Sequence, residues 1–229
     1  MIQGMETNER YERNIGALTP PEQKLLMTRR VAIAGCGGLG CYAAEFLARA
    51  GLGHLTLIDG DTFAASNLNR QLYSRETNLG KSKAHEAGEM LLKIRSDLSI
   101  DVHDVFLNDE NAGKLLQGHD LIIDALDSVK SRLLLERIAS VLGIAIVHGA
   151  VKEWSVQVST IFPGDNTLST LYPAAGEFDK PSVLSFTPAF CASLQASEAV
   201  KVLLNKENIL RKKLLIADLK NNYLDIIEL

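Results

Sequence analysis

The stretch from Val31 to Asp61, VAIAGCGGLGCYAAEFLARAGLGHLTLIDGD, constrains the fold more than any other part of the chain. Val31-Ala32-Ile33-Ala34 is short, apolar and partly β-branched, as a buried strand requires. Gly35, Gly37 and Gly40 follow as G-x-G-x-x-G, with Gly38 between them. Leu39, Ala43, Phe46, Leu47 and Ala50 then recur at helical spacing, Gly51 and Gly53 end that helix, and His54 to Ile58 reads as a second strand closed by Asp59. A strand, glycine turn, helix, strand and acid in that order suit a nucleotide. Glycines admit a phosphate to main-chain N–H groups, the helix start adds partial positive charge, and the acid can meet a ribose hydroxyl. The competing reading is a turn that needs glycine only for close helix–strand packing.

Composition limits the remaining choices. The chain has 229 residues, 46% of them hydrophobic and 23% charged, which fits one α/β domain over 1–229 with a sizeable core. A formal net charge of -4 gives no reason to expect nucleic acid or a membrane surface as partner, and no apolar run reaches the length of a membrane span. The polar start, MIQGMETNERYER, does not read as a signal peptide. Three cysteines (Cys36, Cys41 and Cys191) without a C-x-x-C pair argue against a disulfide framework and a tetrathiolate zinc site, and a reducing cytoplasm is the expected location.

The expected organisation has three parts. An N-terminal helical arm covers 1–30, loose over 1–13. Its helix begins at Thr19-Pro20-Pro21-Glu22, where a capping box and a first-turn proline coincide. A nucleotide-binding core covers 31–150. In it, Asn78 to Ser82 leads into a helix ending near Arg95 with Ala84, Ala87, Leu91 and Ile94 as its stripe. A strand follows at Ile100–Phe106, a helix at Asp109–Leu116, a strand at Asp120–Ala125, a helix at Val129–Leu142 stopped by Gly143, and a strand at Ile144–His148. Residues 151–229 change pattern. Val151–Phe162 alternates like an antiparallel strand pair, 163–186 reads as a long loop, Thr187-Pro188 opens a helix, and Leu214–Asp218 with Tyr223–Ile227 form a closing hairpin. The fold class is therefore α/β, a Rossmann-like nucleotide-binding fold with a mixed, largely parallel sheet and a C-terminal antiparallel extension.

Several side chains are candidates for chemistry. Arg70 offers a planar fork for phosphate oxygens, and Asn67 and Asn69 offer amides, although asparagine and serine are also ordinary turn formers. Lys81 and Lys83 stand at a helix start, where a cation opposes the macrodipole unless an anion is near. Asp127 follows the carboxyl end of a core strand and is either a magnesium ligand or the N-cap of the next helix, beside Ser128. His148 reads as a satisfied core histidine, Cys191 as an inert core thiol, and Cys36 and Cys41 as packing residues at the glycine turn. Arg10, Tyr11 and Arg13 form RYER, which on residue physics alone is a solvated helix face.

Taken together, RYER at 10–13, GCGGLGC at 35–41, LIDGDTFAASNLNRQLY at 57–73, GKSK at 80–83, DALDSVKSR at 124–132 and SLQASEAVKVLL at 193–204 resemble the ThiF/MoeB/HesA family, bacterial relatives of ubiquitin-activating enzymes. The resemblance implies an ATP- and magnesium-dependent adenylyltransferase. Its substrate would be the C-terminal glycine carboxylate of a ThiS- or MoaD-like ubiquitin-like sulfur carrier ending in Gly-Gly. It places the nucleotide against Gly35, Gly37, Gly38, Gly40, Asp59, Asp61, Ser66, Asn67, Asn69, Arg70, Lys83, Asp127 and Ser128. Arg70, Lys83 and Asp127 would act in catalysis, with Asp127 holding Mg²⁺, and Arg13 would reach into the second subunit of a homodimer. Many relatives carry two C-x-x-C pairs for zinc, where this chain has Thr170-Leu171-Tyr172-Pro173, and many carry a transfer cysteine in the loop matching Gly176 to Phe190, where this chain has none. No zinc is therefore expected, and the chain reads as an adenylation-only member. The alternatives are an NAD-dependent dehydrogenase, an adenylating dehydratase of a modified tRNA base, and a non-catalytic scaffold for a ubiquitin-like protein. The thiamine, molybdopterin and cysteine pathways stay open.

Overall fold

The structure is a computed structural model that describes residues 9–173 and 182–229. A 3₁₀ turn at Glu9–Asn14 precedes α1 (Pro20–Leu26), which starts with the expected capping box: the Thr19 hydroxyl accepts from the Glu22 N–H, and the Glu22 carboxylate accepts from the Thr19 N–H. Then come β1 (Arg30–Ala34), α2 (Gly40–Ala50), β2 (His54–Ile58), α3 (Lys83–Ile94), β3 (Ser99–His103), α4 (Ala112–Leu116), β4 (Leu121–Asp124) and α5 (Val129–Leu142). The remainder is β5 (Ala145–Lys152), β6 (Ser155–Ile161), α6 (Thr167–Leu171), α7 (Phe186–Leu203), β7 (Lys213–Asp218) and β8 (Tyr223–Glu228).

The strands form one sheet in the order β3-β2-β1-β4-β5-β6-β7-β8. The first five are parallel and the last four pair antiparallel, β5 belonging to both sets. Both faces of the parallel part are covered, which explains its continuous apolar runs. Val31, Ile33, Leu55, Leu57, Leu121 and Ile123 face α2, α3 and α7 in one core, whereas Ala32, Ala34, Ile58, Ile122 and Ile146 face α4 and α5 in another. The order reverses between β1 and β4. That is the switch point at whose carboxyl edge open α/β sheets bind ligands.

Several boundaries differ from those read in the sequence, each for a local reason. β3 ends at His103 instead of running to Phe106, because 104–106 leave the sheet to cross Gly60, where an added Cβ would meet the Phe106 amide nitrogen at 2.6 Å. α4 starts at Ala112, not Asp109; the Asn108 side chain accepts from the Glu110 and Asn111 N–H groups at 2.9 Å and holds a turn where the helix would begin. Val151–Phe162 is not a strand pair of its own. Val151 and Lys152 complete β5, and the chain reverses at Glu153 (φ 53°) into β6. The expected loop at 163–186 contains α6, and α7 begins one residue early at Phe186. The loose arm expected over 1–13 falls mostly, and the cysteine-free loop of Gly176–Phe190 partly, outside the described residues; the end of that loop, 186–190, is the first part of α7.

Candidate nucleotide site

The glycine turn packs directly on the neighbouring crossover. A Cβ at Gly35 would lie 2.6 Å from the Ala125 carbonyl oxygen, and one at Gly40 would lie 1.8 Å from the Gly35 carbonyl oxygen. Packing alone therefore demands glycine at these two positions. Gly37 and Gly38 differ. Neither has a positive φ, and a Cβ at either would find its nearest neighbours at 3.5 Å, from Gln71 and Pro188. A Cβ at either position would make only ordinary contacts, so the protein's own packing does not demand glycine there, which suits a ligand that approaches the backbone. No side chain caps the start of α2, and its first turn has no acid, so the N-terminal end of the helix faces this space with its donors and dipole.

Asp59 fastens the turn from below. One of its oxygens accepts from the Cys36 N–H at 2.6 Å and the other from the Asp61 N–H at 2.8 Å. Burial raises the Asp59 carboxyl, and these two N–H groups oppose that rise. Lys83, the first residue of α3, is buried; its ammonium pairs with the Asp61 carboxylate, and its N–H donates to the Asp61 carbonyl at 3.0 Å. The anion that a lysine at a helix start requires is thus Asp61. Lys81 instead faces Glu86 at 3.4 Å on the surface.

The 62–73 segment builds the opposite wall. Asn67 is buried and its Oδ1 accepts from the Ala64 N–H at 2.9 Å. Arg70 is aimed by two acceptors, the Ser66 carbonyl and the Asn69 Oδ1, each at 2.8 Å from Nη1. Asn69 also donates to the Val183 carbonyl at 3.1 Å, tying the loop to the approach of α7. The Arg70 side chain lies against Gly38, 3.8 Å from its Cβ position.

Asp127 is exposed at the carboxyl end of β4. It is not the cap of α5; Ser128 is, accepting from the Ser131 N–H at 3.1 Å and donating to the Ser131 hydroxyl at 2.8 Å. Among the described residues no three His, Cys, Asp or Glu side chains gather as a metal cage, so a Mg²⁺ here would take one carboxylate and complete its shell with phosphate oxygens and water. Arg13 is exposed at the far end of α2, where its neighbour Asn14 donates to the Ala50 carbonyl at 3.1 Å. Eleven helical residues, roughly 16 Å, separate that end from the glycine turn.

The cysteines are packing residues. Cys36, Cys41 and Cys191 are all buried with free thiols, and the Cys41 thiol donates to the Cys36 carbonyl at 2.9 Å. Burial pushes the Cys191 thiol up to about 12.

Some residues that build the site carried no separate signal in the sequence. Gln71 lies against Gly37, buried, with an unpartnered Oε1. Gln195 of α7 donates to the Asp124 carbonyl at the end of β4 at 2.8 Å and to the Val147 carbonyl within β5 at 3.1 Å; Gly149 leaves the space for it. Both glutamines fall within stretches that carry the family resemblance, but their roles depend on contacts distant in sequence.

The ThiF family profile matches residues 11–229. The chain belongs to the ThiF family. It is 32% identical over 218 residues to the SAMP-activating enzyme E1 of Haloferax volcanii, covering 92% of this chain and 81% of that protein. It is also 32% identical over 226 residues to the adenylyltransferase and sulfurtransferase MOCS3 of Dictyostelium discoideum, covering 92% of this chain and 52% of that one. The chain thus spans about half the length of the MOCS3 relatives. Among solved structures, E. coli MccB with ATP superposes with a TM-score of 0.83 at 22% identity, over 99% of this chain and 73% of MccB. PaaA gives 0.82 at 21%, over 99% and 84%. At such identities these two likenesses concern the fold. No helix among the described residues is long and apolar enough to cross a membrane.

Proposed function

We propose that this ATP-dependent adenylyltransferase activates the C-terminal glycine carboxylate of a small ubiquitin-like carrier ending in Gly-Gly, of the sulfur-carrier type, as an acyl-adenylate. The observation that carries the reading is the pair Gly37 and Gly38, glycines that the protein's own packing does not demand, with Arg70 against Gly38 at the sheet's switch point. The name of the 32%-identical SAMP-activating enzyme supports a small protein as the activated partner.

The chemistry needs charge neutralisation more than proton transfer. A C-terminal carboxylate is ionised at neutral pH, so its attack on the α-phosphorus requires no protein base. A carboxylate oxygen bonds to the α-phosphorus while the bond to the bridging oxygen breaks, and pyrophosphate leaves with the electron pair. Two anions must approach each other, and negative charge accumulates on the departing phosphates. In this reading Gly35 and Gly40 shape the turn, Gly37 and Gly38 admit the phosphates, and Asp59 meets the ribose. Arg70, Asn67 and Lys83 hold the phosphate oxygens, with Lys83 exchanging its Asp61 partner for phosphate. Ser66 and Asn69 aim Arg70, and Ser128 caps α5 beside Asp127. Asp127 would hold Mg²⁺, whose chemistry when bound is to shield the phosphate charges and polarise them toward attack.

Arg13 serves a second copy of the chain in this reading. It lies too far along α2 to return to its own glycine turn, which supports a homodimer in which it completes the partner's site. With Cys191 buried and its thiolate disfavoured, sulfur transfer falls to another protein. The reading includes no zinc, no membrane and no nucleic acid, and places the chain in the reducing cytoplasm.

Hydroxylamine trapping tests the reading. With ATP, Mg²⁺ and a carrier ending in Gly-Gly, the carrier's C-terminus should become a hydroxamate detectable by mass spectrometry. A carrier recovered unmodified, under conditions where ATP binding is measured, would contradict it.

A further inference from the structure

Leu126, the residue before Asp127, is held at both of its backbone polar groups by buried or nearly buried side chains. Its N–H donates to Asp124 Oδ1 at 3.0 Å. Its carbonyl accepts from Arg132 twice, from Nε at 3.1 Å and from Nη2 at 2.7 Å. On the other side, Ser128 is fixed as the cap of α5. The exposed Asp127 is thus mounted between two immobilised neighbours.

Behind Arg132 stands a closed polar network. Its Nη1 donates to the Tyr172 hydroxyl at 3.2 Å, its guanidinium lies 5.5 Å from the Tyr172 ring centre, and its Nε is 3.8 Å from Asp124 Oδ2. Asp124 Oδ2 also accepts from His148 Nδ1 at 2.7 Å, and both side chains are fully buried. That bond leaves His148 Nε2 as acceptor for the Tyr172 hydroxyl at 3.3 Å, while Gln157 Nε2 donates to the same hydroxyl at 2.6 Å. Tyr172 is itself fixed because it caps α6, whose first turn is gripped by buried Glu136 of α5 through the Leu168 and Ser169 N–H groups and the Ser169 hydroxyl.

We infer that Arg132 is a positioning residue for Asp127, and that Tyr172 holds Arg132 in the orientation that does this. The inference rests on the reading of Asp127 as the magnesium carboxylate. Arg132 touches neither nucleotide nor metal in this account. Its planar fork clamps one carbonyl with two donors while a third donor meets Tyr172, a geometry that lysine cannot reproduce. Octahedral Mg²⁺ demands accurate ligand placement, so loosening Leu126 weakens the metal-dependent share of ATP binding and spares the rest.

The test measures ATP affinity by calorimetry, in Mg²⁺ and in EDTA, for wild type, Asp127→Ala, Arg132→Lys and Tyr172→Phe, with thermal midpoints of the unliganded proteins alongside. No carrier is needed. The ratio of the two affinities should fall about tenfold in Arg132→Lys, within the range over which contacting residues couple, with affinity in EDTA unchanged. It should fall about threefold in Tyr172→Phe, which removes one hydroxyl and carries the test if the lysine variant does not fold. In an Asp127→Ala background neither change should lower the ratio further. Lowered midpoints with the wild-type ratio in both variants would reduce the network to a structural role and overturn the inference. A wild type whose ATP binding ignores Mg²⁺ would overturn it together with the metal reading. Metal-dependent ATP binding that follows the predicted order, but with no carrier adenylated, would sink only the proposed function.

Discussion

Gly38 and Gly40 stand two residues apart in one turn but are glycine for different reasons. Gly40→Ala drives a Cβ to within 1.8 Å of the Gly35 carbonyl oxygen and should cost more than about 3 kcal/mol in urea unfolding. Gly38→Ala meets only ordinary contacts at 3.5 Å, so its unfolding free energy should stay within about 0.5 kcal/mol of wild type. Its ATP affinity should nevertheless fall more than about tenfold, or roughly 1.4 kcal/mol. A Gly38→Ala protein with normal ATP binding would mean the space is not the phosphate cradle. The spacing of glycines was plain in the sequence. Which of them serve packing and which leave room was not, because that depends on Ala125 and Pro188, far along the chain. Asp127 and Ser128 show the same division: as adjacent residues both suited a helix cap, and only the built loop gives that role to Ser128 and leaves Asp127 exposed.

Helices and strands with strong periodicity were legible almost to the residue. β2 and α5 match their expected bounds, and the capping box sits where Thr19 and Glu22 put it. The misread elements are those where side chains compete with the backbone for hydrogen bonds, as at Asn108, or where one strand pairs parallel on one edge and antiparallel on the other, as β5 does. The strands also carry a pH dependence. His148 in β5, His54 in β2 and His119 just before β4 are all held below the usual imidazole range, first by burial. The unfolded chain therefore takes up protons on these rings at a higher pH than the folded protein does. Their contribution to stability is complete above about pH 6.5 and is lost as pH falls through the window below it. Urea midpoints should drop between pH 7.5 and 5.5, above the range where carboxylates such as Asp97 and Asp165 titrate. A flat profile over that interval would contradict the buried neutral histidines.

For the whole molecule, the order of motifs along the chain carried the family, and the ThiF match over 11–229 agrees with it. The resemblance carried by RYER assigns Arg13 to a second copy, whereas residue physics alone reads it as part of a solvated helix face. Arg13 is held by the packing of Asn14 against Ala50, at the wrong end of α2 for its own site. If it serves a second copy, mixing Arg13→Ala with Asp127→Ala protein should restore activity that neither has alone. Random exchange of subunits makes half the dimers mixed, and each mixed dimer regains one intact site, so recovery should approach about a quarter of wild type. No recovery after verified subunit exchange would place Arg13 outside the partner's site.

The most direct measurement is ATP–pyrophosphate exchange with Mg²⁺ and a carrier ending in Gly-Gly, for wild type and Asp127→Ala. Exchange that requires the carrier in the wild type and falls by at least about a hundredfold in the variant, roughly 2.7 kcal/mol of transition-state stabilisation, is the predicted result. Absence of exchange with every such carrier, in a protein that binds ATP, would contradict the account, as would binding of NAD in place of ATP.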